Sequence, residues 1–186
     1  MSSVANVTNW ASIHSINDFH LNTGDAGVTT IQNLSYQQDF MAGNPDLQSI
    51  QLARNNLACY FDATFKISRL KSDWNTWFKH LQFLSLTDAQ WNREDLSALK
   101  ELNYFYIIPA RPNYSNDPTN NVEIPIPQAV VDGIFNQIAA GSGQTVSGGV
   151  LYISSAGSGR SATSNTAVST LLAKGWTLYL DGQQLQ

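Results

Sequence analysis

The sequence predicts an α/β fold of the repeat type: a solenoid with parallel strands on one face and helices with irregular loops on the other. Three observations carry that expectation. Short segments with aliphatic residues at fixed offsets recur along the chain. Between them lie segments with apolar residues at helical spacing, each leading into the next strand-like run. At 186 residues the chain fits one domain or one short repeat array, and a second independent core is not expected.

The fullest copy of the recurring segment is "LQSIQLARNNL", which matches the leucine-rich template L-x-x-L-x-L-x-x-N-x-L at Leu47, Ile50, Leu52, Asn55 and Leu57. "LQFLSLTDAQW" repeats it with Leu81, Leu84 and Leu86, then Ala89 and Trp91 in the last two places. "LNYFYIIPARP" keeps Leu102, Phe105, Ile107 and Ala110 and ends in Pro112. Weaker copies flank these: "INDFHLNTGDA" with Ile16, Phe19 and Leu21, "GGVLYISSAGS" with Leu151 and Ile153, and "GWTLYLDGQQL" with Leu178, Leu180 and Leu185. Alternate strand positions point to opposite faces, so the aliphatic set of each segment points into a core while the residues between them face out. One segment cannot cover its own apolar edge. Stacked neighbours in a parallel sheet can, which makes the reading leucine-rich-repeat-like.

The helical segments come next. "DLSALKEL" has Leu96, Leu99 and Leu102 at helical spacing with Asp95 as a cap. "IPQAVVDGIFNQIAAG" carries Val130, Ile134, Phe135 and Ile138 on one face and stops at Gly141, and "NTAVSTLLAKG" places Val168, Leu171 and Leu172 together, with Asn165 as cap and Gly175 as stop. Template origins fall at residues 16, 47, 81, 102, 148 and 175, and three of the steps between them exceed the usual period of about 20 to 29. Insertions are therefore expected, with residues 109–127, "PARPNYSNDPTNNVEIPIP", as the main one and residues 1–40 as an irregular N-terminal cap. The alternative is a generic α/β domain with parallel strands and helical crossovers, whose short apolar strands read the same way.

Charge narrows the partners. Charged residues make up 13% of the chain, about half of the roughly 25% usual for soluble proteins. The formal net charge is −4 and no basic run occurs, which argues against nucleic acid. The single cysteine, Cys59, has no internal disulfide partner and lies in an apolar stretch where an inert buried thiol is expected. No apolar run reaches the ~18 residues of a membrane span. The expected location is extracellular or cell-surface if an export signal has been removed, and otherwise cytoplasmic.

The C-terminal segment "VVDGIFNQIAAGSGQTVSGGVLYISSAGSGRSATSNTAVSTLLAKGWTLYLDG" is similar to the closing part of leucine-rich-repeat-like proteins from Bacteroidetes and related bacterial surface proteins. In those a "VDxILxxL" helix is followed by a strand, a Gly/Ser/Thr-rich loop, a second helix and a final "L-x-x-K-G-W-T-V" strand. The matching stretches here are Val131 to Ile138, Val150 to Ser154, Ser155 to Asn165, Ala167 to Ala173 and Lys174 to Leu180. The resemblance implies a surface or assembly protein that binds through its sheet.

Catalytic and cofactor motifs fail on inspection. "VLYISSAGSGRSAT" has the strand, glycine loop and helix context of a phosphate site, but Arg160 stands where the Lys belongs and Gly157 and Gly159 lack a third glycine at position 162. His14, His20 and His80 have no second His or Cys at metal-ligand spacing. In "NYSNDPTNNVE", Asn113, Ser115 and Asp117 alternate as in a calcium loop, yet Pro118 takes the position that needs Gly and Glu123 falls one place short. No serine elbow is present, and Glu94 with Asp95 fits a helix start. Sequons begin at Asn6, Asn33 and Asn113. No enzyme activity, cofactor or metal is expected.

The template register does define a face. Its fifth position reads His20, Gln51, Ser85, Tyr106, Tyr152 and Tyr179, and its third Asp18, Ser49, Phe83, Tyr104, Val150 and Thr177. The C-terminal half should present an aromatic strip of Phe83, Tyr104, Tyr106, Tyr152 and Tyr179 with Trp176 alongside. Amphipathic rings with few rotamers suit a protein partner, and flat ring faces suit sugars. Packing of these rings on one another or under a loop is the competing reading. Trp74, Trp77 and Phe78 pose the same choice, with burial expected. The expected function is a binding module for a protein or glycan of undefined identity. The alternative is a structural subunit of a larger surface or phage-tail-like assembly, and the oligomeric state is left open.

Overall fold

Strands form where β-branched, aromatic and leucine residues alternate between a core-facing and an outward position, and the C-terminal half of the chain shows this cleanly. The structure is a computed structural model that describes residues 18–20, 49–51, 80–91, 93, 95–109 and 123–186. In chain order the elements are β1 (Asp18–His20), β2 (Ser49–Gln51), β3 (Phe83–Thr87), α1 (Asp88–Trp91), a 3₁₀ turn at Leu96–Ala98, and β4 (Tyr104–Ile108). Then follow α2 (Gln128–Ala140), α3 (Ser142–Thr145), β5 (Val150–Ile153), a 3₁₀ turn at Ala162–Ser164, α4 (Asn165–Ala173), β6 (Thr177–Leu180) and β7 (Gln183–Gln184).

The strands form one sheet in sequence order, parallel from β1 to β6 and antiparallel between β6 and β7. The register aligns the template positions across strands. Leu84, Phe105, Leu151 and Leu178 form one row, and Leu86, Ile107, Ile153 and Leu180 a second. Leu84, Leu86, Phe105, Ile107, Leu151, Ile153 and Leu178 are fully buried and Leu180 is 9% exposed. Burying each such side chain is worth about 1.5–3 kcal/mol, and a one-residue slip would turn a whole row to the other face. That penalty fixes the register.

The helices supply the other side of this core. α2 contributes Val131, Ile134, Phe135 and Ile138, and α4 contributes Ala167, Val168 and Leu171, to the same buried cluster as the two strand rows. α2 ends at Gly141, as the sequence predicts. A Cβ at Gly141 would sit 2.8 Å from Ser97 Cα, so the glycine lets the helix end lie against the 3₁₀ turn. Trp91 is 2% exposed and meets the ring of Phe105 edge-on at 6.4 Å.

Four local expectations are corrected. "DLSALKEL" forms a 3₁₀ turn over Leu96–Ala98 instead of an α-helix, with Asp95 accepting from Ser97 N–H at 2.9 Å. Its leucines are three apart, the 3₁₀ period, and the segment is too short to repay α-helix nucleation. Asn165 is the first residue of α4 instead of its cap, and its Oδ1 accepts from Arg160 Nη1 at 2.6 Å. The last strand does not run on to Leu185. It reverses at Asp181 (φ 49°) and Gly182 (φ 78°), so that Leu180 pairs with Gln183. Both central residues in the left-handed region define the two-residue turn that matches strand twist. Trp176 is the fourth, described below. Leu47, Leu52, Asn55, Leu57, Cys59, Trp74, Trp77, Phe78, His14, the sequons and most of the 1–40 and 109–127 segments lie outside the described residues.

Candidate binding face and the clasped serine loop

Neighbouring strands in a sheet lie about 4.8 Å apart, so side chains in register on one face arrive at ring-stacking distance. On the outward face Phe83 stacks on Tyr104 with centroids 4.4 Å apart and planes 5° from parallel. In the next row Tyr106 stacks on Tyr152 at 4.9 Å and 24°, and Tyr152 meets Tyr179 at 5.8 Å and 37°. These five rings are half-buried. Val150 and Thr177 continue the first row beyond Tyr104, and Gln184 continues the second beyond Tyr179. Such pairs add about 0.5–1.5 kcal/mol each to what area alone contributes.

Five of the six predicted strip residues are thus brought together, and Trp176 is not. It shares strand parity with Leu178 and Leu180, so it points into the core and is 2% exposed. Its Nε1 donates to the Val146 carbonyl at 3.0 Å. The indole lies flat against Gly149, where a Cβ would come within 2.7 Å of the ring. Ser85 occupies the tyrosine row one strand earlier, yet it is fully buried and its hydroxyl has no hydrogen-bond partner among the described residues.

From β3 to β7 the outward rows carry no charged side chain. Charged groups flank the strands: before β3 and β4, His80 Nδ1 and the half-buried Glu101 Oε1 lie 3.0 Å apart, and just past β3 Arg93 Nη2 lies 3.6 Å from Asp88 Oδ2. Among the described residues no group of three or more His, Cys, Asp or Glu is placed to hold a metal, and no helix is long and apolar enough to cross a membrane.

Past the C-terminal end of β5 the serine-glycine loop closes on itself through two carboxylates. The Ser155 N–H and hydroxyl donate to Asp181 Oδ1 and Oδ2 at 2.5 and 2.6 Å, and Gly159 N–H donates to Ser155 Oγ at 3.1 Å. Asp132 of α2, 5% exposed, accepts from Ser161 N–H at 3.0 Å, Ser161 Oγ at 2.5 Å and Ser164 Oγ at 2.6 Å. Burial pushes the Asp132 carboxyl upward, but the Ser161 and Ser164 hydroxyls, the Ser161 N–H and the Arg160 charge outweigh it and hold the group below its ordinary value. Arg160, which stands where a phosphate-binding Lys would be, instead bonds Asn165.

Comparison with protein-family models, with characterised proteins and with solved structures gives no match to this chain. The carboxylate clasps were missed in the sequence because each partner lies 26 to 32 residues away. The turn that holds Asp181 did leave a signal: Asp-Gly after alternating apolar residues marks a two-residue hairpin.

Proposed function

We propose that the chain is a non-catalytic, leucine-rich-repeat-like interaction module that engages a protein partner through the outward face of its parallel sheet. The observation that carries this reading is the pair of stacked aromatic rows, Phe83–Tyr104 and Tyr106–Tyr152–Tyr179. Held by backbone register, these rings lose little freedom on binding, which lowers the entropic cost of association. Glycan recognition needs open ring faces, whereas Tyr152 has a ring on each side and Phe83 and Tyr104 cover one another. Edges and phenol groups are what such rows offer, and these fit the mixed apolar and polar surface of a protein. The uncharged, hydroxyl-rich face and the low charge content of the chain support an exported or surface setting.

The test is the double variant Tyr106→Ser/Tyr152→Ser, compared with wild type on arrays of bacterial and host surface proteins and of glycans. We expect a protein ligand whose binding is lost in the variant, at a stability cost of about 1–3 kcal/mol from the two lost stacking contacts. Binding that survives the double substitution while stability falls would assign the rings to packing. Self-association to a fixed stoichiometry in light scattering, lost in the variant, would favour the assembly subunit instead.

A further inference from the structure

The chain contains two Asp-Gly bonds, Asp132–Gly133 and Asp181–Gly182. With no side chain on the glycine, its backbone nitrogen can reach the preceding aspartyl Cγ more closely than in other pairs. In the protonated fraction of the carboxyl, attack of the deprotonated glycine nitrogen on Cγ forms the C–N bond and expels the hydroxyl group, which takes up the proton lost by the amide and leaves as water, closing a five-membered succinimide. Water then reopens the ring. Cleavage of the Cγ–N bond returns aspartate, while cleavage of the bond to the original main-chain carbonyl leaves isoaspartate, with the backbone running through Cβ and Cγ. The product is an isomer of the starting chain, and no oxidant or cofactor takes part.

Both carboxylates are held by serines of the same loop. Asp132 lies within α2, where helical dihedrals and the bonds from Ser161 and Ser164 fix it together. Asp181 and Gly182 lie in an exposed turn, both with positive φ. There the restraint comes from Ser155, whose N–H and Oγ hold one carboxylate oxygen each. With both oxygens pinned to the loop, Cγ is not free to rotate onto the Gly182 nitrogen. We propose that Asp181–Gly182 is a latent isomerisation site held shut by Ser155. Isoaspartate at this position would insert an extra backbone atom into a two-residue turn, break the Leu180–Gln183 pairing, and uncover the edge of β6.

The test follows isoaspartate at both bonds by peptide mass spectrometry with electron-transfer fragmentation, during incubation at physiological pH and temperature. Samples are folded wild type, wild type unfolded in urea, and Ser155→Ala. In Ser155→Ala we expect conversion at position 181 to rise about tenfold over folded wild type, as loss of one charge-assisted hydrogen bond implies. Conversion at position 132, which keeps its own clasp and helix, should stay at the wild-type level. Folded wild type should also convert more slowly at 181 than the urea-unfolded chain. Equal rates at 181 in folded and unfolded wild type overturn the proposal, as does an unchanged rate at 181 in the variant. A parallel rise at both bonds overturns it too, because protection would then come from the fold as a whole and not from Ser155.

Discussion

Asp132 is a carboxylate in a helix whose neighbours are core residues, and it is tolerated there because Ser161 and Ser164 satisfy its oxygens. In the unfolded chain those bonds are absent and the carboxyl has its ordinary pKa, so the folded state binds the proton more weakly. The stability it contributes is therefore complete above the ordinary carboxylate range and is lost as pH falls through the lower folded value. Asp132→Asn preserves shape but turns an amide donor toward serine hydroxyls. We expect it to cost about 1–3 kcal/mol at neutral pH, read from urea unfolding. The gap between variant and wild type should narrow as the solution becomes strongly acidic. A gap independent of pH would show that the clasp draws nothing from the charge.

Among the elements, the β6–β7 hairpin makes the sharpest demand on sequence, since both turn residues adopt positive φ. Gly182→Val places a β-branched residue at φ 78°, for about 1–2 kcal/mol of strain. Amide exchange should show where the strain goes. The Leu185 amide, bonded to the Leu178 carbonyl, should lose protection, while the Thr177 amide, bonded to Gly149, keeps it. Equal loss at both amides would mean that β7 is no separate closing element. This turn was legible in the sequence as Asp-Gly, but the leucine template read past it to Leu185. The strand register was legible because alternation has a period of two, and α2 and α4 because their apolar faces and terminal glycines are local. The turn at Leu96–Ala98 was not, since a spacing of three leucines fits both α and 3₁₀ helices. Trp176 was misplaced by position when its parity with Leu178 and Leu180 already pointed inward. The loop's carboxylate partners were not legible at all: nothing near Ser155 or Ser161 in sequence announces a bond to Asp181 or Asp132.

For the molecule as a whole, a stack of repeats and one indivisible core make different predictions for how the described sheet unfolds. Strand order follows sequence order, so each strand pairs with its predecessor and its successor, which is the connectivity a solenoid needs. A generic α/β domain built in the same order would differ in cooperativity, because α2 and α4 would tie all strands to one transition. Leu178→Ala separates these. Leu178 is fully buried, pairs with Leu151, and sits on the last parallel strand, so the substitution costs about 2–5 kcal/mol. In a stack that loss stays between neighbours. The Thr177 amide of β6, and the Trp176 amide just before it that bonds Leu171 of α4, should exchange freely, Val150 on β5 partly, and Tyr104 on β4, bonded to Gln82, should remain as protected as in wild type. In an indivisible core the same substitution lowers protection at all four amides by one common factor. That outcome would remove the repeat architecture while leaving the parallel sheet and its aromatic rows in place, and the binding face would then stand on ring geometry alone.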